Sequence, residues 1–392
     1  MELTLTPEDL AFRDELRDFL AREKPKDWSY PAGASYFELC ATEFERLRAW
    51  HRKLYDARFI GITWPEEYGG RNAPAHQEAI LSDEMIRAGA PPTVNLLGIT
   101  LCAPALLHYG SDAQKARYLR KLLSGEEIWC QGYSEPGSGS DLASLRTRAE
   151  LRGDHYVVNG QKVWTTDGAY ADWMFCLVRT EPDAPRHKGI GFLLIDVRSP
   201  GVDVRPLRQI TGGSEFCEVF FTDVVVPKEN MVGQPTQGWE IANTVLGYER
   251  GSQALGSSAS FDADFELLLE QLKDRGAGRD PEVRQRAAQL KIELAVLRLV
   301  ALKTLARMRD GAAPGPEASM GKLCKSELEQ KLYSFAVDQQ GPYGSLWDGA
   351  HAVDGGRWQG AMLWARAGTI YAGSSEIQRN IIAQRVLGLP RG

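Results

Sequence analysis

The chain is short of the residues and spacings that build metal and disulfide sites. Its six cysteines, Cys40, Cys102, Cys130, Cys176, Cys217 and Cys324, are scattered and form no Cys-x-x-Cys pair. Such dispersed thiols read as reduced residues of a cytoplasmic protein rather than as a disulfide framework. The six histidines are equally dispersed, with no His-Glu-x-x-His spacing, so no metal site is expected. No Gly-x-Gly-x-x-Gly follows a strand and no GxxxxGK[ST] run occurs, which disfavours a Rossmann dinucleotide site and a P-loop. A basic surplus is also absent. Lys and Arg number 46 against 52 Asp and Glu, a net charge of −6, which argues against nucleic-acid binding. No apolar run approaches the ~20 residues that a membrane span needs. The N-terminus, MELTLTPEDLAFRDELRDFLAREK, is acidic and amphipathic from its start and does not read as a signal peptide.

What is present is a chain of 392 residues, enough for two or three domains with a sizeable core. Three zones separate by periodicity. Residues 1–125 read as helices. Thr6-Pro7-Glu8-Asp9 is a helix opening with Thr6 as N-cap, and Leu10, Phe12, Leu16, Phe19 and Leu20 recur near helical spacing. Residues 126–236 read as a compact antiparallel β domain. HYVVNGQKVWTTDG contains two β-rich runs that Asn159-Gly160 is expected to join as a hairpin, and GIGFLLIDV and CEVFFTDVVV are further strand candidates. Residues 237–392 read as helical again, with a break at Pro314-Gly315-Pro316.

Three stretches stand out. SEPGSGSD (134–141) combines Gly, Ser and Pro at the start of the β zone. It is either a plain surface turn or a loop that offers backbone N–H groups and hydroxyls to an anionic ligand. Trp164-Thr165-Thr166 ends a β run, where Trp164 is either core or a flat wall for a planar ring. YAGSSEIQR (371–379) lies near the end of the second helical zone.

SEPGSGSDLASLRTRAE, VVNGQKVWTTDG, YERG and YAGSSEIQRNIIAQRVLG follow one another in an order that closely resembles the acyl-CoA dehydrogenase family of flavoproteins. The resemblance spans essentially the whole chain, and is nearest to the bacterial branch of branched-chain and steroid side-chain enzymes. It implies an α+β multidomain fold: an N-terminal helical domain, a middle antiparallel β domain and a C-terminal four-helix bundle. It also implies FAD as cofactor, an acyl-CoA thioester as substrate, and α,β-dehydrogenation to the 2-enoyl-CoA. In such a reaction a carboxylate removes the α-proton while the β-hydride passes to the flavin. The α-proton is a poor acid in water, so the thioester oxygen must receive hydrogen bonds as enolate charge develops. The base must be partly desolvated, so that its pKa rises toward neutral.

By position in the motifs, the resemblance places the flavin ring against Gln131, Tyr133, Ser134, Trp164 and Thr166. It places Ser140 near the FAD phosphates or CoA, and Gly373, Ser374 and Glu376 at the diphosphate and adenosine side. Arg250 and Tyr371 support the substrate wall. In many members the residue after the Tyr of Tyr-x-Gly is the catalytic Glu. Here it is Ala372, which accepts no proton. Either the base lies elsewhere, or the chain is an inactive partner subunit, or it does different chemistry. The isovaleryl-CoA branch carries its base on the first long helix after the β domain, and that position corresponds to Glu249 of GYERG. Ala372 keeps its backbone N–H, which in the family helps bind the thioester carbonyl. Loss of the carboxylate there also clears volume for a branched, cyclic or bulky acyl group.

The chain departs from the family where the neighbour's FAD is usually contacted. KDRGAGRDPEVRQRAAQL lacks the usual Arg-x-x-Phe-Gly, and Asp338-Gln339-Gln340-Gly341-Pro342 replaces Gln-x-x-Gly-Gly. Arg275, Arg279 and Arg284 are candidate substitutes. The expected partners are an electron-transfer flavoprotein as acceptor and other chains in a homo-oligomer, dimer or tetramer, with a heterotetramer as the alternative. Non-catalytic acyl-CoA binding and O₂ as acceptor are the remaining rivals. Neither nucleic acid nor membrane is expected as a partner.

Overall fold

The computed structural model describes residues 5–29, 39–40, 42–309 and 315–390, with only the backbone described at 248–258, 305 and 307–309. The chain divides into two compact units. The β unit comprises Tyr36–Asn72 and Pro92–Tyr248, and the helical unit Met1–Ser35, Ala73–Pro91 and Glu249–Gly392.

Three helices flank the sheet sequence in the β unit: α2 (Phe44–Asp56), α4 (Ala103–Tyr109) and α5 (Asp112–Leu123). The last opens on a capping box, in which the Ser111 hydroxyl accepts from the Gln114 N–H and the Gln114 side chain accepts from the Ser111 N–H. The strands are β1 (Trp129–Gly132), β2 (Arg148–Arg152), β3 (His155–Thr166), β4 (Trp173–Arg179), β5 (Ile190–Asp196), β6 (Val202–Leu207), β7 (Phe216–Pro227) and β8 (Met231–Val232). They form one sheet in the order β6-β7-β3-β2-β4-β5-β8, with β1 pairing β4. β4 and β5 are apolar almost throughout and are buried along nearly their whole length, as strands covered on both faces should be.

Two sequence expectations change here. The sheet is not purely antiparallel, because β1 runs parallel to β4 in the register Trp129↔Trp173 to Gly132↔Cys176. Asn159-Gly160 is not a hairpin turn either. β3 runs straight through it, and the turn lies earlier, between Arg152 and His155, at Gly153 (φ +66°). Asn159-Gly160 is a bulge, with a register shift against β7 between Val158 and Gly160. Its physical cause is local. A Cβ on Gly160 would lie 2.7 Å from the Thr147 Cα, so only glycine lets the strand pass. Asn159 meanwhile exchanges hydrogen bonds with Asp223 across the sheet, through its side-chain N–H₂ and its carbonyl oxygen.

In the helical unit, α1 (Pro7–Glu23) begins as its sequence demands. Thr6 and Asp9 form a reciprocal capping box, with Pro7 in the first turn. α1 is tied to α3 (His76–Arg87) by a bidentate Arg17–Glu84 pair at 2.7 Å and by Asp9 with His76. The later helices are α6 (Gly238–Asp274, whose first residues belong to the β unit), α7 (Pro281–Arg309), α8 (Ala318–Asp338), α9 (Arg357–Gly368) and α10 (Ser375–Ile381). Of the break expected at Pro314-Gly315-Pro316, Gly315 and Pro316 lie just before α8, and Pro314 is outside the described residues. On α7, Val283, Ala287, Leu290, Leu294 and Leu297 recur every three or four residues and are all buried. They join Phe261, Phe265, Leu332, Phe335 and Trp358 in one core, where the Trp358 indole N–H donates to the Gln271 side chain at 2.8 Å.

Candidate functional site

The residues singled out in the sequence fall into two groups, one in each unit. In the β unit, β1 delivers Gln131 and leads into the 133–141 loop. The Gln131 amide nitrogen is buried and has no hydrogen-bond partner among the described residues. The Tyr133 ring is core, edge-on to Phe175 at 5.9 Å, so what it offers a ligand is backbone. The Ser134 carbonyl accepts from the Val163 N–H at 3.0 Å, which pins the loop start to β3.

Behind this edge lies an ion pair that sequence reasoning passed over. Lys162 is fully buried and donates to Glu135 at 2.8 Å and to the Tyr133 carbonyl at 3.1 Å. Glu135 also accepts from the N–H groups of Arg146 and Thr147. Burial pulls the Glu135 carboxyl up, but Lys162 and the two N–H groups outweigh it and hold its pKa below the ordinary value. The only sequence signal was a lysine at an inward position of a β run. In the loop itself the Ser138 hydroxyl is spent on the carbonyls of Asp141 and Leu142, whereas Ser140 is exposed.

β3 then turns its end outward. A register shift against β7 between Lys162 and Thr165 leaves Trp164 at φ +59°, with 60% of its surface exposed. A left-handed tryptophan in a strand costs roughly 1–3 kcal/mol, and such strain tends to be kept where a side chain is being aimed. Trp164 therefore is not core, and presents an indole face beside Phe216. Thr165 is buried with its hydroxyl unpartnered among the described residues, and Thr166 is half-buried. Asp167 follows at φ +62°, buried, accepting from the Tyr170 hydroxyl. Burial, against the Tyr170 bond and with Glu215 nearby, pushes its carboxyl up to about 7. Its only linear signal is an acid at the end of a β run.

The second group lies in the helical unit. α9 ends at Gly368, and the chain reverses through Tyr371, Ala372 (φ +52°) and Gly373 (φ +86°). Ser374 then caps α10 by accepting from the Ile377 N–H. Glu376 is exposed, with its carboxyl held down by the N–H at the helix start and by Ser374. The Tyr371 hydroxyl accepts from Lys325 at 3.4 Å. Ala372 presents a backbone N–H with no hydrogen-bond acceptor among the described residues.

The side chains of Glu249 and Arg250, in α6, lie outside the described residues. Of the three candidate arginines, Arg275 lines an open pocket of about 500 Å³ with Gln339, Gln340, Gly341, Tyr343 and His351. There the buried Gln340 amide nitrogen has no partner among the described residues. Arg284 is exposed on α7 and is not among the residues lining that pocket.

Models of the N-terminal, middle and C-terminal domains of acyl-CoA dehydrogenases match residues 6–126, 130–224 and 236–387. The chain belongs to the acyl-CoA dehydrogenase family. It is 40% identical to the acyl-CoA dehydrogenase IpdE1 of Mycolicibacterium smegmatis over 390 residues, 97% of each chain. It is equally similar, 40% over 384 residues and 97% of each, to the protein of that name from Mycobacterium tuberculosis. Among solved structures, the Tcur3481-Tcur3483 steroid ACAD aligns over the full length of both chains with a TM-score of 0.87 and 28% identity. The ChsE4-ChsE5 complex from Mycobacterium tuberculosis does so at 0.83 and 30%. The helical, β, helical layout is that of the family, and the chain is an acyl-CoA dehydrogenase, an oxidoreductase acting on a CH–CH bond. Its family is flavin-dependent. In the β unit the residues present fit such a group, with an outward indole face at Trp164 and a buried Gln131 amide nitrogen that has no partner among the described residues. No helix among the described residues is long and apolar enough to cross a membrane.

Proposed function

We propose that this acyl-CoA dehydrogenase uses FAD, takes the α-proton with Glu249 and binds the thioester oxygen with the Ala372 N–H. The observation that carries the proposal is the turn at Ala372. Its side chain accepts no proton, yet its left-handed backbone leaves a donor without an acceptor among the described residues. Base and oxyanion donor are thus separable, and the base is assigned to another helix. FAD, when bound, accepts the β-hydride. The chain's own residues do the rest. Trp164 would pack against one face of the flavin ring, and Gln131, Tyr133, Ser134 and Thr166 would bond its edge through side chain or backbone. Ser140 faces phosphate, and Gly373, Ser374 and Glu376 serve the diphosphate end. Arg250 and Tyr371 support the substrate wall. Donation from Ala372 to the thioester oxygen lowers the cost of enolate charge, and a carboxylate at 249 supplies the base that the alanine at 372 does not.

The domain boundaries are placed near 125 and 236, the acceptor is an electron-transfer flavoprotein, and the location is the cytoplasm. The substrate is a bulky or branched acyl-CoA, and the pathway is β-oxidation of such chains. The assembly is an oligomer, dimer or tetramer. The exposed apolar stripe Ile292, Val296 and Leu299 along α7 supports this, since such a face is normally covered. A heterotetramer is favoured over a homotetramer by one specific observation, the departure of 338–342 from the family pattern, with Arg275 as the remaining cation of that pocket. Two of the similar structures carry two chain names in their titles, which accords with it.

The test is anaerobic bleaching of the bound flavin by straight, branched and cyclic acyl-CoAs. Wild-type enzyme should bleach. Glu249→Gln should bind the same thioester and bleach slower by roughly 10²–10⁴-fold, the usual worth of a general base. Bleaching at the wild-type rate would remove Glu249 from the mechanism. Flavin per chain, measured on protein purified alone, separates homomeric from heteromeric assembly. About one FAD per chain is expected of the first and little of the second.

A further inference from the structure

Lys322 on α8 is a buried lysine that none of the family motifs singled out. It is only 2% exposed, and its ammonium donates to the Gly368 carbonyl at 2.9 Å and to the Gly373 carbonyl at 2.8 Å. The first of these is the last residue of α9, where the final carbonyls of a helix have no partner within the helix and carry its partial negative charge. The second follows directly on Ala372. Gln378 of α10, fully buried, closes the same turn from the other side, donating to the Ala372 carbonyl at 2.9 Å and the Gly373 carbonyl at 3.1 Å. Backbone bonds complete the frame: the Tyr371 N–H donates to the Ala367 carbonyl and the Ser375 N–H to the Thr369 carbonyl, both at 3.0 Å. Lys325, three residues along α8, bonds the Tyr371 hydroxyl and Glu329 at 3.4 Å each.

The carbonyls of Gly368, Ala372 and Gly373 are thereby held on both sides of the turn, while the Ala372 N–H stays without an acceptor among the described residues. An alanine at φ +52° does not remain there unaided. The left-handed region costs a non-glycine residue roughly 1–2 kcal/mol, and this turn relaxes unless its neighbours over-determine it. Space is equally constrained. A Cβ on Gly373 would lie 2.5 Å from the Gln378 amide nitrogen, and one on Gly368 would lie 3.0 Å from the Glu329 carboxylate.

We propose that Lys322 and Gln378 are positioning residues for the reaction: they clamp the carbonyls around Ala372 so that its N–H is fixed toward the thioester oxygen before enolate charge develops there. The proposal rests on the role given to the Ala372 N–H above. A donor aimed in advance is worth more to a developing oxyanion than one that must reorient, so loss of the clamp should weaken enolate stabilisation more than ground-state binding.

The probe is the 3-thia analogue of whichever acyl-CoA bleaches the wild-type flavin fastest. It cannot be oxidised at the β position, but its α-proton can be removed, and the enolate beside oxidised flavin absorbs at long wavelength. The apparent pKa of that band is titrated in wild type, Lys322→Met and Gln378→Met, with flavin content and the analogue's Kd measured alongside. Lys322→Met should raise the apparent pKa by about one unit, a tenfold loss of enolate. Its Kd should move less than about threefold, and kcat should fall roughly tenfold with KM little changed. Gln378→Met should shift the pKa the same way by a smaller amount. An unchanged pKa in both variants, or a rise in Kd and KM alone, overturns the proposal. Should Lys322→Met fail to fold or to hold flavin, Gln378→Met decides, and an unchanged pKa there overturns it. A wild-type enzyme that bleaches with substrate yet forms no enolate band refutes the Ala372 assignment itself and takes the clamp with it. A band in wild type with unmoved variants refutes the clamp alone.

Discussion

Two buried lysines, one in each unit, are matched in different ways. In the β unit, Lys162 faces a carboxylate, Glu135, which in turn takes two backbone N–H groups from the strand beyond. In the helical unit, Lys322 bonds two carbonyls of a reversing turn. The first arrangement matches charge with charge inside a sheet, so its loss strands an ion. The second sets a cation against backbone dipoles at a helix end, so its loss frees a turn. The expectation is that the first lysine matters most to stability and the second, on the proposal above, to the aim of a single N–H.

The comparison is broken hardest at Lys162. Lys162→Met leaves Glu135 buried without its counter-ion and should cost roughly 3–5 kcal/mol of stability, read as a lower denaturation midpoint. Lys322→Met should cost less stability and show its effect in the enolate titration instead. A Lys162→Met chain as stable as wild type would erase the distinction.

Asp167, in the turn after β3, should make stability depend on pH. Burial pushes its carboxyl from the ordinary carboxylate range up to about 7, so the folded state keeps a proton that the unfolded chain releases. Stability is therefore fully present below about pH 4, declines as pH rises toward 7, and is flat above it. The groups facing it are Tyr170, Glu215 and the thiols of Cys130 and Cys217, all buried or half-buried. Asp167→Asn should remove that slope, a difference on the order of a few kcal/mol at neutral pH, measured by denaturation across pH 4–8. An identical slope in the variant would show that Asp167 is ionised throughout.

The smallest effect is the sharpest probe of the turn. Ala372→Gly keeps the N–H and relieves the left-handed strain. It should therefore stabilise the fold by about 1 kcal/mol or less, offset in part by the freer unfolded chain. Turnover should fall modestly, because glycine explores more backbone states about the same donor. A stability loss instead would mean that the alanine methyl is packed rather than strained.

Much of this was legible one residue at a time. The Thr6 to Asp9 opening, the helical spacing from Leu10 to Leu20 and the β5 and β7 runs are local codes. The chain spells them within a few residues, and the fold obeys them. Asn159-Gly160 was spelled just as clearly and was overruled. The pair suits a hairpin, but Thr147 pressing on Gly160 and Asp223 bonding Asn159 made a bulge in a strand of twelve residues. Local propensity lost there to Thr147, earlier in the chain, and to Asp223, 64 residues ahead of Asn159. The same holds for the site. The motif order named the family and pointed to Gln131, Trp164 and Ala372, because these are fixed positions in a linear pattern. It could not show that Trp164 faces outward, that Asp167 holds its proton near neutral pH, or that Lys322 and Gln378 grip the turn around Ala372. Those are properties of burial and of contacts between distant segments. The sequence by itself determined the family, the helix and strand content and the absence of a carboxylate at 372. Only the tertiary structure decided which buried charges are matched by ions and which by backbone, because the dielectric around a group and the dipoles aimed at it exist only once the chain has closed around it.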